Sequence, residues 1–192
     1  MLDLLKNNNV TLDYITLHVW IGTFRSIKVD DIRDYDIHSE VCEVDIAIFS
    51  RIASYKLSWK NVIAVWTTSC RTLESLIYLW VKLTNKQKDG LCEWKYKDFW
   101  NNLENNISLD NNYIQSYVVG VESIQFECKL FIVPWFCFTV VDQLITNFHL
   151  PKSSLMVLVA SILGYDYMMN AYRIAIQKNY MFYSFGDAMW IY

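Results

Sequence analysis

Apolar positions along the chain switch between two spacings, and the switches mark the elements. TLDYITLHVW alternates apolar and polar residues, which predicts a strand over roughly 12–20. Before it, residues 2–9 read as a helix end closed by Asn7, Asn8 and Asn9, and after it Gly22 permits a turn. DIRDYDIHSEVCEVD is charged and extended, with room for one short strand. VDIAIFSRIASYKL changes to helical spacing, with Ile46, Ile48, Phe49, Ile52 and Ala53 on its inner side. NVIAVW predicts a short buried strand. TTSCRTLESLIYLWVKLT predicts an amphipathic helix with Leu73, Leu76, Ile77, Trp80 and Val81 on one stripe, capped by Thr68 or Ser69. Residues 85–125 carry TNKQKDG and NNLENNISLDNNY, which are polar and loop-like. KLFIVPWF and CFTVVDQLIT read as strands. SLMVLVASIL is apolar on every side, so a buried helix stopped by Gly164 is expected. Asp166 then caps a second helix over about 167–178, and YMFYSFGDAMWIY closes as strand, Gly-Asp turn and strand. Strands alternating with helices, with no internal repeat, predict one α/β domain over 1–192.

Composition adds few constraints. The 192 residues are 54% apolar and 16% aromatic, enough for a sizeable core. A net charge of −3 gives no overall footprint for nucleic acid, although a local basic groove on an acidic protein stays possible. Its nearest sources are Arg25, Lys28 and Arg33, then Lys82, Lys86, Lys88, Lys95 and Lys97, which equally suit a solvated face. Cys42, Cys70, Cys92, Cys128 and Cys137 are odd in number and contain no C-x-x-C pair, so reduced, buried thiols of a cytoplasmic protein are expected. MLDLLKNNNV is not a signal peptide, and every apolar run is broken before about 18 residues, so no membrane span is expected.

Four places carry groups suited to chemistry. NVIAVWTTSCRTLES sets Thr67, Thr68 and Ser69 at a strand–turn–helix junction, where free N–H groups favour an anion or simply a cap. IHSE places His38 and Glu40 two apart, on one face if extended, as an acid/base pair or a surface strand. TNFHLPKSS offers Asn147, His149 and Lys152 at a helix entry, and SFGDA offers Asp187 after a glycine turn. His18, His38 and His149 lie far apart in sequence, so no metal site is expected. Phosphate loops and dinucleotide fingerprints are absent.

Taken together, ITLHVWIGTF, DYDIHSEVCEVD, NVIAVWTTSCRTLES, FIVPWFCFTVVDQLITNFHLPKSSLMVLVASILGYDYMMNAYRIAI and YSFGDAM resemble the S-adenosylmethionine:tRNA ribosyltransferase-isomerase family of queuosine biosynthesis. They lie in order from Ile15 to Met189, with the weak part at 86–125. The resemblance implies the family's larger, barrel-like α/β domain, without its inserted β-rich domain and truncated at the N-terminus. It implies transfer of the ribosyl part of S-adenosylmethionine to 7-aminomethyl-7-deazaguanine in tRNA, with isomerisation to epoxyqueuosine and loss of adenine and methionine. The acceptors would be the tRNAs for Asp, Asn, His and Tyr. The enzyme would be a cytoplasmic monomer needing no metal or cofactor. Such chemistry requires proton transfer beside a sulfonium, a hold on the methionine carboxylate, and an anion facing the cationic sulfur. The candidate roles are then an anion hold at Thr67, Thr68, Ser69 and Arg71; proton transfer at His38 and Glu40; nucleoside orientation by Asn147 and His149; and Asp187 facing the cation.

The chain departs from the family in two ways. It corresponds to the C-terminal half, so an inactive, pseudogene-like remnant is the alternative to an active enzyme. Also, Trp20, Trp59, Trp66 and Trp135 stand where the family typically has glycine. Tryptophan at such turns is expected to cost about 1–3 kcal/mol in strain, plus overpacking, at each site. A decaying gene from an AT-rich genome, or one whose UGA codons were read as tryptophan, would produce this pattern. Met181 and Tyr35 also replace a typical Arg and His.

Overall fold

The computed structural model describes residues 1–18, 26–86 and 114–192, with side chains excepted over 80–86. Trp20, the Gly22 turn, Arg25, Cys92 and the lysines at 88, 95 and 97 lie outside the described residues, and nothing is said of the Lys82 and Lys86 side chains. The element order is α1 (Leu2–Asn7), β1 (Thr16–His18), a 3-10 turn (Ile32–Asp34), β2 (Glu40–Asp45), α2 (Ile46–Leu57), β3 (Ile63–Val65), α3 (Thr67–Lys86), β4 (Ile114–Val119), β5 (Ser123–Cys128), β6 (Gln143–Asn147), α4 (Ser154–Leu163), α5 (Tyr165–Gln177) and β7 (Ala188–Ile191).

Two sheets form, so the fold is mixed α/β. The first is antiparallel in the order β1-β2-β5-β4. Alternation along β2 sends Glu40, Cys42 and Val44 inward, and β5 answers with Ile124, Phe126 and Cys128. The second has the order β3-β6-β7, with β3 parallel to β6 and β6 antiparallel to β7. Helix α2 buries Ile48, Phe49, Ile52 and Ala53 and leaves Ile46 half-buried. Asp45 caps it by accepting the Ala47 N–H at 2.6 Å.

Helix α3 lies at the centre and departs from its sequence reading. Its pattern predicts one apolar stripe, yet every residue from Cys70 to Leu79 is buried. The helix packs on β4 and β5 of the first sheet, on β3 and β6 of the second, and on α4, so no side of its 70–79 stretch faces water. Its polar residues are satisfied internally, as burial requires. Glu74 accepts the Val140 and Val141 N–H groups with one carboxylate oxygen, at 3.0 and 2.7 Å. The other oxygen takes the Thr139 N–H and hydroxyl, both at 3.0 Å. Ser75 reaches the Arg71 carbonyl and the Cys128 Sγ, and Thr72 reaches the Thr68 carbonyl and the Cys42 Sγ.

Other expectations are also revised. β3 is an edge strand with only Ala64 buried, because a single neighbour covers it. The polar region expected to be loop contains β4 and, just after it, β5; pairing with β2 supplies the register that local sequence lacked. Residues 129–142 form no strand, and only Gln143–Asn147 of CFTVVDQLIT does. Similarly, 180–187 is a looped turn and only the last stretch pairs, as β7. In α4, Ser154, Leu158, Val159 and Ala160 are buried, while Leu155, Met156 and Val157 stay partly open. Gly164, at φ 85°, both ends α4 and begins α5, so Asp166 falls within the first turn of α5 rather than at its cap. Cys42, Cys70 and Cys128 are buried free thiols, but Cys137 is exposed. Among the described residues, no single helix is long and apolar enough to cross a membrane.

Three of the four tryptophans at family glycine positions are described, and all have left-handed backbone: Trp59 at φ 56°, Trp66 at 75° and Trp135 at 71°. Their side chains are 93%, 62% and 97% exposed, so the expected overpacking does not occur. The backbone strain does.

Candidate active site

The site forms where β3 and β6 end side by side. Their parallel pairing ends at Val65 and Ile145, and the Trp66 N–H donates to the Ile145 carbonyl at 2.7 Å. The Trp66 carbonyl accepts the Cys70 N–H at 3.1 Å, so Trp66 occupies the position immediately before α3. The helix therefore begins at Thr67, not after Thr68 or Ser69 as the capping pattern predicts. The first N–H groups of α3 point out of this end, together with the helix's positive dipole.

Beyond Ile145, β6 carries Thr146 and Asn147, and the chain then turns through His149 to Ser153. Thr146 Oγ1 and His149 Nε2 are 3.0 Å apart. The His149 N–H donates to the Tyr172 hydroxyl at 2.9 Å. Burial pushes the His149 imidazole down to about 4, so it is neutral at pH 7. Ser153 caps α4 by accepting the Met156 N–H at 3.2 Å.

Between these elements opens a cleft of about 340 Å³ lined by Trp66, Thr67, Thr68, Thr146, Asn147, His149 and Tyr183, with Leu150, Ser153, Leu155 and Ser184 completing its wall. A helix start, two threonines and an amide thus face an aromatic rim and a neutral imidazole. The size and mixed polarity suit a small polar molecule with an apolar part.

Thr67, Thr68 and Leu155 also wall a second cavity of about 20 Å³, room for roughly one water. Its other lining includes Ile37 and Arg71. Arg71 is buried and ion-paired with one oxygen of Glu40, whose side chain is fully buried. The other Glu40 oxygen lies 3.2 Å from His38 Nε2. Burial holds Arg71 below the ordinary arginine range, and Glu40 supplies its counter-charge.

The structure thus separates the sequence candidates into three groups. Thr67, Thr68, Asn147 and His149 line the cleft together. His38, Glu40 and Arg71 form a chain behind the threonines, buried at Glu40 and Arg71 and half-buried at His38, that meets the second cavity at Arg71. Ser69 and Asp187 line neither. The Asp187 carboxylate accepts the Met181 N–H at 2.8 Å, and its own N–H donates to the Met181 carbonyl. It therefore closes the 181–187 turn instead of facing the cleft. Asn147 has a structural task as well, donating to the Gly186 and Asp187 carbonyls at 3.3 and 3.2 Å. Gly186 is needed there because a Cβ would sit 2.4 Å from the Met181 carbonyl oxygen. Thr146 belongs to the polar run TNFHLPKSS picked out in the sequence, whereas no spacing rule marked Tyr183 and Ser184. No group of three or more His, Cys, Asp or Glu side chains suited to a metal occurs among the described residues.

Comparison with known proteins places this geometry. The family model described as "Queuosine biosynthesis protein" matches residues 1–191. A curated relative, S-adenosylmethionine:tRNA ribosyltransferase-isomerase of Clostridioides difficile (strain 630), is 37% identical over 189 residues, covering 98% of this chain and 44% of its own length. The crystal structure of S-adenosylmethionine tRNA ribosyltransferase from Thermotoga maritima superimposes with a TM-score of 0.63 at 27% identity, covering 100% of this chain and 48% of that one. The chain spans about half the length of these relatives. With the match running over nearly every residue, the chain belongs to the queuosine biosynthesis protein family.

Proposed function

We propose that this chain contributes the substrate cleft of a ribosyltransferase-isomerase acting on S-adenosylmethionine and on tRNA bearing 7-aminomethyl-7-deazaguanine, in the tRNAs for Asp, Asn, His and Tyr. The observation that carries the reading is the convergence of the α3 start with Thr146, Asn147 and His149 in one cleft. The N–H groups at the start of α3, with Thr67 and Thr68, suit the methionine carboxylate. Neutral His149 and the Asn147 amide offer the directional hydrogen bonds a nucleoside needs. Arg71, Glu40 and His38 act behind them. Glu40 shares its two oxygens between Arg71 and His38, so it positions both and leaves His38, 19% exposed, as the proton-transfer group of the pair. These residues do their work without a metal or an added cofactor, in a cytoplasmic monomer.

A second reading is an inactive remnant of the same enzyme. Trp66 favours it, because its strained backbone and large side chain lie on the cleft wall. Adenine release from S-adenosylmethionine by the purified chain, with and without the modified tRNA, separates the two. Release that depends on the modified tRNA supports the enzyme. Silence that persists after Trp66→Gly, in a chain that unfolds cooperatively, supports the remnant.

A further inference from the structure

The left-handed tryptophans sit in three different backbone motifs, and each motif has a known residue preference. Trp59 follows the end of α2, where the Trp59 N–H donates to the Lys56 carbonyl at 3.2 Å and the Lys60 N–H to the Tyr55 carbonyl at 2.9 Å. This paired arrangement is the Schellman motif, which normally takes glycine or asparagine at its left-handed position. The chain builds the same motif twice more. After α1, Asn9 donates to Lys6 and Val10 to Leu5; after α5, Asn179 donates to Ile176 and Tyr180 to Ala175. In those two the left-handed residue is asparagine, at φ 60° and 57°. Only the α2 motif has tryptophan.

Trp135 is the third residue of a turn spanning 133–136, closed by the Phe136 N–H on the Val133 carbonyl at 3.0 Å. Pro134 comes before it, and its own φ is 71°. Proline followed by a left-handed residue is the type II turn, whose third position calls for glycine. Trp66 bridges β3 to α3 at φ 75° with both its backbone groups hydrogen-bonded, so the peptide cannot relax to a negative φ without losing them.

In return for this strain the indoles contribute nothing visible. None of the three makes a hydrogen bond or ring contact with another described residue, and all three are exposed. Trp190 shows what a working tryptophan does in this fold. It lies in β7, donates its indole N–H to Gln143 Oε1 at 3.0 Å, and packs 5.6 Å from the Tyr192 ring.

We infer that positions 59, 66 and 135 are glycine positions, and that the cell producing this protein places glycine at all three. The tryptophans then come from reading its codons by the wrong assignment. At position 66 the change removes an indole from the cleft wall.

Peptide mass spectrometry of the protein purified from its own cells tests this. Glycine is expected at 59, 66 and 135, and tryptophan at 190. Tryptophan at any of the three overturns the inference. The physical basis is checked separately in recombinant protein by thermal unfolding. Trp59→Gly and Trp135→Gly should each raise Tm by about 2–4 °C, since relief of strain outweighs the greater freedom of an unfolded glycine. Trp190→Gly should lower it. If the tryptophan chain gives no cooperative transition, the triple glycine variant should restore one. No gain from any of these glycine replacements at 59, 66 and 135 overturns the backbone argument. Neither measurement depends on which reaction the cleft performs.

Discussion

Acidification should destabilise this protein through His149, and the size of the effect can be worked out. The imidazole titrates near 6.5 in an unfolded chain and is pushed down to about 4 by burial in the fold. Between those values the unfolded state binds a proton that the folded state refuses. The contribution is therefore fully present above pH 6.5 and is lost as pH falls toward 4. A shift of this size corresponds to about 3 kcal/mol in total, of which about 2 kcal/mol is gone by pH 5. That is a large part of a stability of roughly 5–15 kcal/mol. The Thr146 hydroxyl does not prevent the loss, because it can accept a hydrogen bond from the ring N–H in either charge state. The penalty comes from desolvation beside Tyr172 and the cleft wall. Carboxylates also titrate below pH 5, so the effect must be isolated by difference. Urea unfolding of the wild type and of His149→Gln, from pH 7.5 to 5, does this. The two should be within about 1 kcal/mol at pH 7.5, and the variant should gain about 2 kcal/mol relative to wild type by pH 5. A flat difference curve would show that His149 is solvated and that the cleft is wetter than the structure implies.

Further substitutions probe the buried polar groups of α3 and the turn that closes the cleft. Glu74→Ala orphans the N–H groups of Thr139, Val140 and Val141. It should cost at least about 3 kcal/mol, whereas Glu74→Gln, which keeps one acceptor oxygen, should cost about 1–3 kcal/mol in denaturant titrations. Equal costs would mean that the carboxylate is not the anchor of this loop. Glu40→Ala strands the buried charge of Arg71 and should cost about 3–5 kcal/mol. The double variant with Arg71→Met should recover much of that loss; no recovery would rule out a buried ion pair. Asn147→Ala removes two hydrogen bonds to the 186–187 carbonyls and should speed amide exchange around 181–187 at least tenfold without lowering global stability by more than about 2 kcal/mol. Unchanged exchange would show that the turn is held by Asp187 alone.

Local pattern was enough for the helices and for part of the candidate cleft. The spacing of Ile48, Phe49, Ile52 and Ala53 marks α2 because one side of a 3.6-residue repeat must be apolar to pack. Gly164 marks the α4 stop, and TNFHLPKSS marks a polar turn before a core helix, for equally local reasons. Thr67, Thr68, Asn147 and His149 were legible as candidates because their types and positions suit a helix start and a helix entry. Tyr183 and Ser184 were not, since the 181–187 loop joins the cleft only when β7 pairs with β6.

Residue order alone thus specifies the kind of each strongly periodic segment and the presence of polar groups near helix ends. Tertiary structure decided which surfaces are inside. RTLES reads as the polar side of an amphipathic helix, yet with both sheets and α4 packed around α3, Arg71, Thr72, Glu74 and Ser75 become interior groups with assigned partners. The β4–β5 pair forms in a region with little local signal because β2 provides a register for it. The left-handed backbone at 59, 66 and 135 likewise follows from hydrogen bonds that the chain's path imposes, whatever side chain stands there. Periodicity reports one residue's nearest neighbours along the chain. Burial and backbone handedness depend on contacts from distant segments, and those exist only once the chain has folded.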